Sequence, residues 1–239
     1  WGGPLRVLRA HDQDKGCGLV CFNEVVGRDP FFIVGRGFGE GFSLPDLAGK
    51  RLGVVSEVPT PWLCLRQDLR DLKVDTKTIH VVTGNSMAAN RADLAAGTID
   101  AFQTFQPFAE WAINDGGKVL YAAANRGPTA YTSFYTTATL IDRNRESFRA
   151  MSVACQKSVG AVLDEGGAVV AMELKHYFPS VPQEVLAASI DRYVTLGLYN
   201  RTGELSRSGF ERLRQSMLSS GFITRGAEYE ACVDNTLIA

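Results

Sequence analysis

No apolar run in this 239-residue chain approaches the roughly 18–20 residues that cross a bilayer, so no membrane-spanning helix is expected. Charge of one sign is never concentrated. Lys and Arg number 25 against 26 Asp and Glu, the net charge is −1, and no basic run offers a footprint for phosphate backbones or anionic lipid. Nucleic acid and membrane surfaces are therefore poor direct ligands. The five cysteines, Cys17, Cys21, Cys64, Cys155 and Cys232, are odd in number and scattered, unlike a disulfide framework. If Cys17 and Cys21 share a strand, four residues at roughly 3.3 Å each hold the thiols about 13 Å apart, too far to link. Only three histidines occur, and His11-Asp12-Gln13-Asp14 is the one place where an imidazole meets carboxylates; His80 and His176 lie far off in sequence. Three or four converging ligands are needed for a metal, so that cluster reads as a polar turn and no metal or cofactor is implied. G-x-S-x-G, H-E-x-x-H and close acid pairs are all missing, which leaves catalysis unsupported. Near Trp1 no basic region precedes an apolar stretch, so the sequence neither shows nor excludes export.

What is present is alternation. Short β-rich runs at Leu19–Val26, Phe31–Val34, Arg51–Val55, Thr78–Val82, Asp100–Phe105, Lys118–Ala122 and Tyr131–Leu140 are separated by amphipathic helices, the signature of an α/β fold. Thr60-Pro61 reads as a helix start with a capping side chain and Pro in the first turn, followed by Trp62, Leu65, Leu69 and Leu72 on one face. Asn85 or Ser86 caps a second helix ended by Gly97, and Pro107 opens a third that stops at Gly116-Gly117. After about residue 140 strands give way to helices. Asp142 is the expected cap of a long one, Pro182 begins another, Ser208-Gly209-Phe210-Glu211 reads as a capping box, and a short helix is expected near Glu228–Asn235.

Two breaks organise the chain. Gly35-Arg36-Gly37-Phe38-Gly39-Glu40-Gly41 and Asn125-Arg126-Gly127-Pro128 bracket a block of strands and helices from about 37 to 128. A block entered and left by two flexible strands can be a second lobe on a hinge. It can equally be part of one sheet with two ordinary loops; composition alone does not choose.

A resemblance does. Asp46-Leu47-Ala48-Gly49-Lys50-Arg51-Leu52-Gly53-Val54, then Leu94-Ala95-Ala96-Gly97-Thr98-Ile99-Asp100-Ala101-Phe102, Gln106-Pro107-Phe108-Ala109-Glu110 and Tyr131-Thr132-Ser133-Phe134-Tyr135 occur in order. Together with the tail Gly221-Phe222-Ile223, this set resembles the periplasmic solute-binding proteins that take nitrate, taurine, alkanesulfonates and thiamine pyrimidine precursors. The resemblance implies a bilobed fold of periplasmic-binding-protein type II, with two α/β lobes joined by two crossover strands. Lobe one is expected to be discontinuous (1–36 and 129–239) and lobe two continuous (37–128). It further implies capture of a small organic anion or heteroaromatic, an ABC permease and ATPase as partners, and a periplasmic or lipid-anchored extracellular location. Two departures stand out. Gln106 replaces the family's Glu, and the family's first βαβ units have no counterpart before Trp1, so the chain is expected to be a fragment of lobe one plus lobe two.

Open α/β sheets bind ligands at strand carboxyl ends. Ser56, Glu57, Thr60 and Trp62 join such an end to a helix N-terminus, whose free N–H groups suit an anion. Asn85, Ser86, Gln103 and Gln106 end neighbouring strands, and Tyr131 and Thr132 lie where the chain crosses back between lobes. Each has a plainer reading: capping for Asn85, core packing for Trp62, solvation for Gln106. Two other functions share the fold. One is a thiamine-pyrimidine-synthesis enzyme, which has a denser cysteine cluster than Cys17-Gly18-Leu19-Val20-Cys21. The other is the effector-binding domain of a transcription regulator, which needs a helix-turn-helix ahead of Trp1.

Overall fold

The alternating segments form seven strands in the computed structural model, which describes residues 1–238. They are β1 (Leu19–Val26), β2 (Phe32–Gly35), β3 (Arg51–Gly53), β4 (His80–Val82), β5 (Ala101–Thr104), β6 (Lys118–Ala122) and β7 (Thr132–Thr137). Two sheets result: β1 pairs antiparallel with β7, and the other five run in the order β4-β3-β5-β2-β6. Within the larger sheet β3 is parallel to β4 and β5, whereas β2 is antiparallel to β5 and β6. Residues 27–31 and 123–131 are thus the two passages between sheets. The expected boundary after residue 36 would leave β2 with the smaller sheet, but its hydrogen bonds put it in the larger one. Phe32 to Gly35 are all buried there, and a Cβ on Gly35 would meet Leu120 at 2.6 Å.

Ten α-helices surround the sheets among the described residues: α1 (Leu5–Gln13), α2 (Thr60–Asp71), α3 (Met87–Ala96), α4 (Phe108–Asn114), α5 (Ala138–Arg143), α6 (Arg145–Glu165), α7 (Gly167–Leu174), α8 (Gln183–Thr195), α9 (Arg207–Ser219) and α10 (Tyr229–Cys232). Local chemistry explains most boundaries. Ser86 caps α3 by accepting from the Ala89 amide, and Gly97 ends it in the left-handed region at φ +74°. Three caps differ from expectation. Pro59, not Thr60, precedes α2, so Thr60 is already helical; Ser206 rather than Ser208 caps α9; and Asp142 lies inside α5, with Asn144 starting the long α6. Helices α1, α5 and α7 are additions to the sequence reading, α5 taking the end of the expected strand Tyr131–Leu140. In α1, Leu5, Val7, Leu8 and His11 are buried, and His11 Nε2 lies 2.8 Å from the Leu19 carbonyl.

The cores follow the sheets. Leu52, Val54, Leu65, Leu69 and Ile33 fill one side of the larger sheet, and Phe32, Phe102, Leu94 and Ala109 the other. Beside the smaller sheet, α1 and α9 pack Leu8, Phe210, Leu213 and Met217 around Cys21. The same core takes in Leu63 and Cys64 of α2, and Arg70 of α2 donates to the Ser219 carbonyl at 3.1 Å. Contacts therefore join the two sheet units outside the passages as well.

Candidate functional site

Where the passages meet the strand ends, the chain leaves a cavity of about 290 Å³. Its aromatic wall comes from three places: Phe31 at the end of the first passage, Phe105 just after β5, and Tyr131 ahead of β7. The Phe31 and Phe105 rings lie 5.1 Å apart and the Phe31 and Tyr131 rings 6.2 Å apart. Val58 and Thr60 around the start of α2, Thr132, and Arg6 of α1 also line it, with Gly3, Val26 and Pro30. A second cavity of about 310 Å³ shares Arg6, Val58 and Thr60 and continues along α1 past Arg9 to Phe222.

The electrostatics of this double cavity are one-sided. Arg6 and Arg9 line it, and no Asp or Glu does. Among the described residues the Arg6 side chain has neither an ion-pair nor a hydrogen-bond partner, and that of Arg9 is engaged only by the Phe222 ring at 4.9 Å. The α2 N-terminus adds the positive end of a twelve-residue helix that no side chain caps; Pro59 and Pro61 carry no N–H and the Leu63 amide donates to the Pro59 carbonyl, so Thr60 and Trp62 supply the amides there. An anion entering here meets cations and amides without displacing a competing carboxylate.

Immediately behind the aromatic wall the charges are all paired. Asp29 of the first passage is fully buried, and Arg126 of the second donates to it at 2.9 Å. The Arg126 guanidinium also lies 2.6 Å from Asp68 of α2, which in turn accepts from the Tyr121 hydroxyl at 3.0 Å. The other oxygen of Asp29 accepts from the Phe31 amide at 3.0 Å. One cation thus ties both passages to a helix of the larger-sheet unit. The Tyr131 hydroxyl is buried without a partner, and burial pushes it well above the ordinary tyrosine range, so it stays a neutral donor.

Of the residues singled out by sequence, Thr60, Tyr131 and Thr132 line the cavity. The others sit nearby in other roles. Ser56 donates to the Asn85 carbonyl at 2.7 Å, Glu57 accepts from the Met87 amide at 2.9 Å, and Asn85 donates to Asp93 at 2.9 Å. With Ser86, these side chains cap α3. Gln103 is buried and donates to the Pro61 carbonyl at 2.8 Å. Gln106, buried rather than solvated, bonds Glu110 at 2.9 Å and Ser189 at 3.3 Å and so fastens α4 to α8. Trp62 packs on the core around Leu52, Leu65 and Leu69 instead of facing the cleft. The polar cluster His11–Asp14 is also a fastening: Asp12 accepts from the Thr224 and Arg225 amides at 3.1 and 2.6 Å, which hold its carboxyl below the usual range. No group of three or more metal-binding side chains occurs among the described residues. All five cysteines are free, and burial lifts Cys64 to about 12.

Val58 and Phe105 lie in the segments 56–62 and 103–106 that the sequence pointed to, though they were not singled out, whereas Arg6 and Phe31 were missing from the reading of the site. Only Arg6 carried a usable signal: it lies just inside a helix start at Pro4, on the side opposite Leu5 and Leu8.

The NMT1-like family model matches residues 43–173, more than half of the chain. The chain belongs to the NMT1-like family. Among curated proteins it is similar to the putative binding protein YtlA of Bacillus subtilis (strain 168), at 22% identity over 222 residues. That match covers 92% of this chain and 66% of YtlA, so the chain spans just under two thirds of that relative's length. Among solved structures, the periplasmic aliphatic sulphonate-binding protein SsuA from Escherichia coli superposes with a TM-score of 0.77 at 16% identity, covering 98% of this chain and 74% of SsuA. The desulfurization enzyme DSZB superposes at 0.65 and 14% identity, covering 99% of this chain and 82% of that one. Family membership and these superpositions make the fold that of periplasmic binding proteins.

Proposed function

We propose that this chain is the solute-binding component of an ABC importer and that it grips a small organic anion in the cleft lined by Arg6, Thr60, Phe31, Phe105 and Tyr131. The observation that carries the reading is the unpaired Arg6 beside a helix N-terminus in a cavity free of carboxylates. The aromatic wall supplies apolar area for the body of the ligand, while guanidinium and amides take its charged end. A ligand contacting both sheet units favours the closed arrangement by its differential affinity. In this reading the lobes divide at the passages: the unit from β2 to β6 is one lobe, and the smaller sheet with the later helices is the other. A membrane permease and its ATPase are the downstream partners, and the location is periplasmic or tethered outside the cell. SsuA is described as a periplasmic sulphonate-binding protein, which supports the location.

Binding is favoured over catalysis because neither cavity is lined by Cys, His, Asp or Glu, leaving only the hydroxyls of Thr60, Tyr131 and Thr132. A nucleophile needs an adjacent base. A thermal-shift and calorimetric screen of alkanesulfonates, aromatic carboxylates, nitrate and pyrimidines tests the proposal. At least one anion should raise Tm by several degrees at 100-fold excess over Kd, since saturation there contributes about 2.7 kcal/mol. Arg6→Gln should weaken that anion about tenfold or more without lowering Tm. Equal binding by Arg6→Gln, or hits confined to neutral pyrimidines, would reject the anion reading.

A further inference from the structure

Behind the passages, away from the aromatic cleft, a second cavity of about 370 Å³ lies between the end of β1, Pro128 and the loop 197–206. Its notable side chain is Glu24. The residue is 3% exposed, and its Oε2 accepts from Asn200 Nδ2 at 2.7 Å, while Oε1 is buried with no partner. A carboxylate left half-satisfied in the interior is costly.

The surroundings hold Glu24 in place. Asn200 Oδ1 accepts from Thr202 and Gly203 amides at 3.1 Å each, and its Nδ2 also reaches the Glu204 carbonyl at 2.7 Å, so the amide is locked from both ends. The Glu24 amide donates to Gly203 O at 2.7 Å, and the Asn200 amide to Val25 O at 2.9 Å, lacing the loop to β1. On the same lining, Arg28 of the first passage has no acidic partner among the described residues; its one hydrogen bond is to the Ala124 carbonyl at 3.3 Å. Arg201, by contrast, is already paired with Asp164. Two carboxylates, the rigidly held Glu24 and Glu204, which has no ion-pair partner among the described residues, therefore share a small polar cavity with one unpaired cation, Arg28.

We propose that this rear cavity is a second ligand site that takes a small zwitterion, an amino acid or similar amino acid analogue, with its ammonium on Glu24 and its anionic end on Arg28. A lone cation would leave Arg28 unanswered and a lone anion would leave the half-satisfied Glu24 unanswered, whereas a zwitterion answers both. Burial raises the Glu24 carboxyl to about 8 against the opposing hydrogen bond from Asn200. The other ionisable groups around it are Arg28, Arg201, Glu204, Cys21, Tyr199 and Tyr229; burial raises Cys21 and both tyrosines and keeps them neutral. At pH 7 Glu24 is then largely protonated, and seating an ammonium beside it releases protons to solvent.

Calorimetric titration of the 239-residue chain with glycine tests the site, with methylammonium and acetate as single-charge controls. Glycine should saturate with Kd between about 0.1 and 10 mM, as expected for so few atoms, and each control should bind about tenfold more weakly or worse. The heat should vary with the ionisation enthalpy of the buffer, because burial raises Glu24 and seating the ammonium releases protons. Glu24→Gln and Arg28→Gln should each lower affinity about tenfold or more, with melting curves confirming the fold. Arg6→Gln should leave glycine binding unchanged. The comparison of glycine with methylammonium and acetate needs only the unaltered chain, so it decides even if a variant misfolds. No saturation by 100 mM, a single-charge control binding as well as glycine, retention in Glu24→Gln, or loss in Arg6→Gln would each overturn the proposal.

Discussion

Arg6 lines the cavity beside Phe31 and Tyr131 while Arg126 is tied to the Phe31 amide through Asp29, and the two arginines have opposite surroundings. Arg126 is 6% exposed and sits between two carboxylates from different segments, whereas Arg6 is exposed and faces none. The same guanidinium is structural in one place and available in the other. The difference lies in what the fold has already spent on pairing it: a buried cation without its partners is untenable, while an exposed one can wait for a ligand.

The comparison can be broken most forcefully at Arg126. Arg126→Met strands Asp29 and Asp68 without their cation, and should cost about 3–5 kcal/mol in denaturant titration. A loss under 1 kcal/mol would show that the cluster does not hold the passages. Trp62→Ala comes next. Since Trp62 belongs to the core beneath β3, it should lower stability by about 2–4 kcal/mol and leave cleft affinity within twofold. Weakened binding at unchanged stability would return Trp62 to the cleft.

The third effect is smaller and depends on pH. Glu24 has its folded pKa at about 8, above the ordinary 4.5, so between those values the fold binds more protons than the unfolded chain. Stability should therefore be fully present below about pH 4.5 and fall as pH rises through 8, by about 1–3 kcal/mol from this group. Glu24→Gln, which mimics the protonated form, should flatten the profile and be relatively more stable at pH 9. An unchanged slope in chemical denaturation would show that Glu24 titrates normally.

Most of the fold was legible because its strands are short apolar runs flanked by Gly and Pro. Lys118–Ala122 and Leu19–Val26 were read to the residue, and the other strands to within three. Helix α1 was hidden by its own polar end: His11-Asp12-Gln13-Asp14 looks like a turn, and the contacts that bury it come from Leu19 and Thr224, far along the chain. Caps were displaced because Ser206 and Ser208, or Asp142 and Asn144, are locally equivalent and packing chooses between them.

The site was legible in part for the same reason. Thr60, Tyr131 and Thr132 follow from strand ends and crossing points. Trp62 shared a helical stripe with Leu65 and Leu69, and that periodicity already favoured the core. Arg6 acts because no acid reaches it, and the lack of a neighbour in space is not written in any local pattern.

Phe31 joins the two halves of the comparison in a single peptide. Its ring forms part of the cavity wall, and its amide is gripped by the aspartate that holds Arg126. In the proposed reading the joint and the chamber would share a part: a turn of the backbone at Pro30 would tilt that ring, and a solute leaning on the ring would load the joint directly. Opening angle and chamber shape would then be one mechanical variable, with no relay in between.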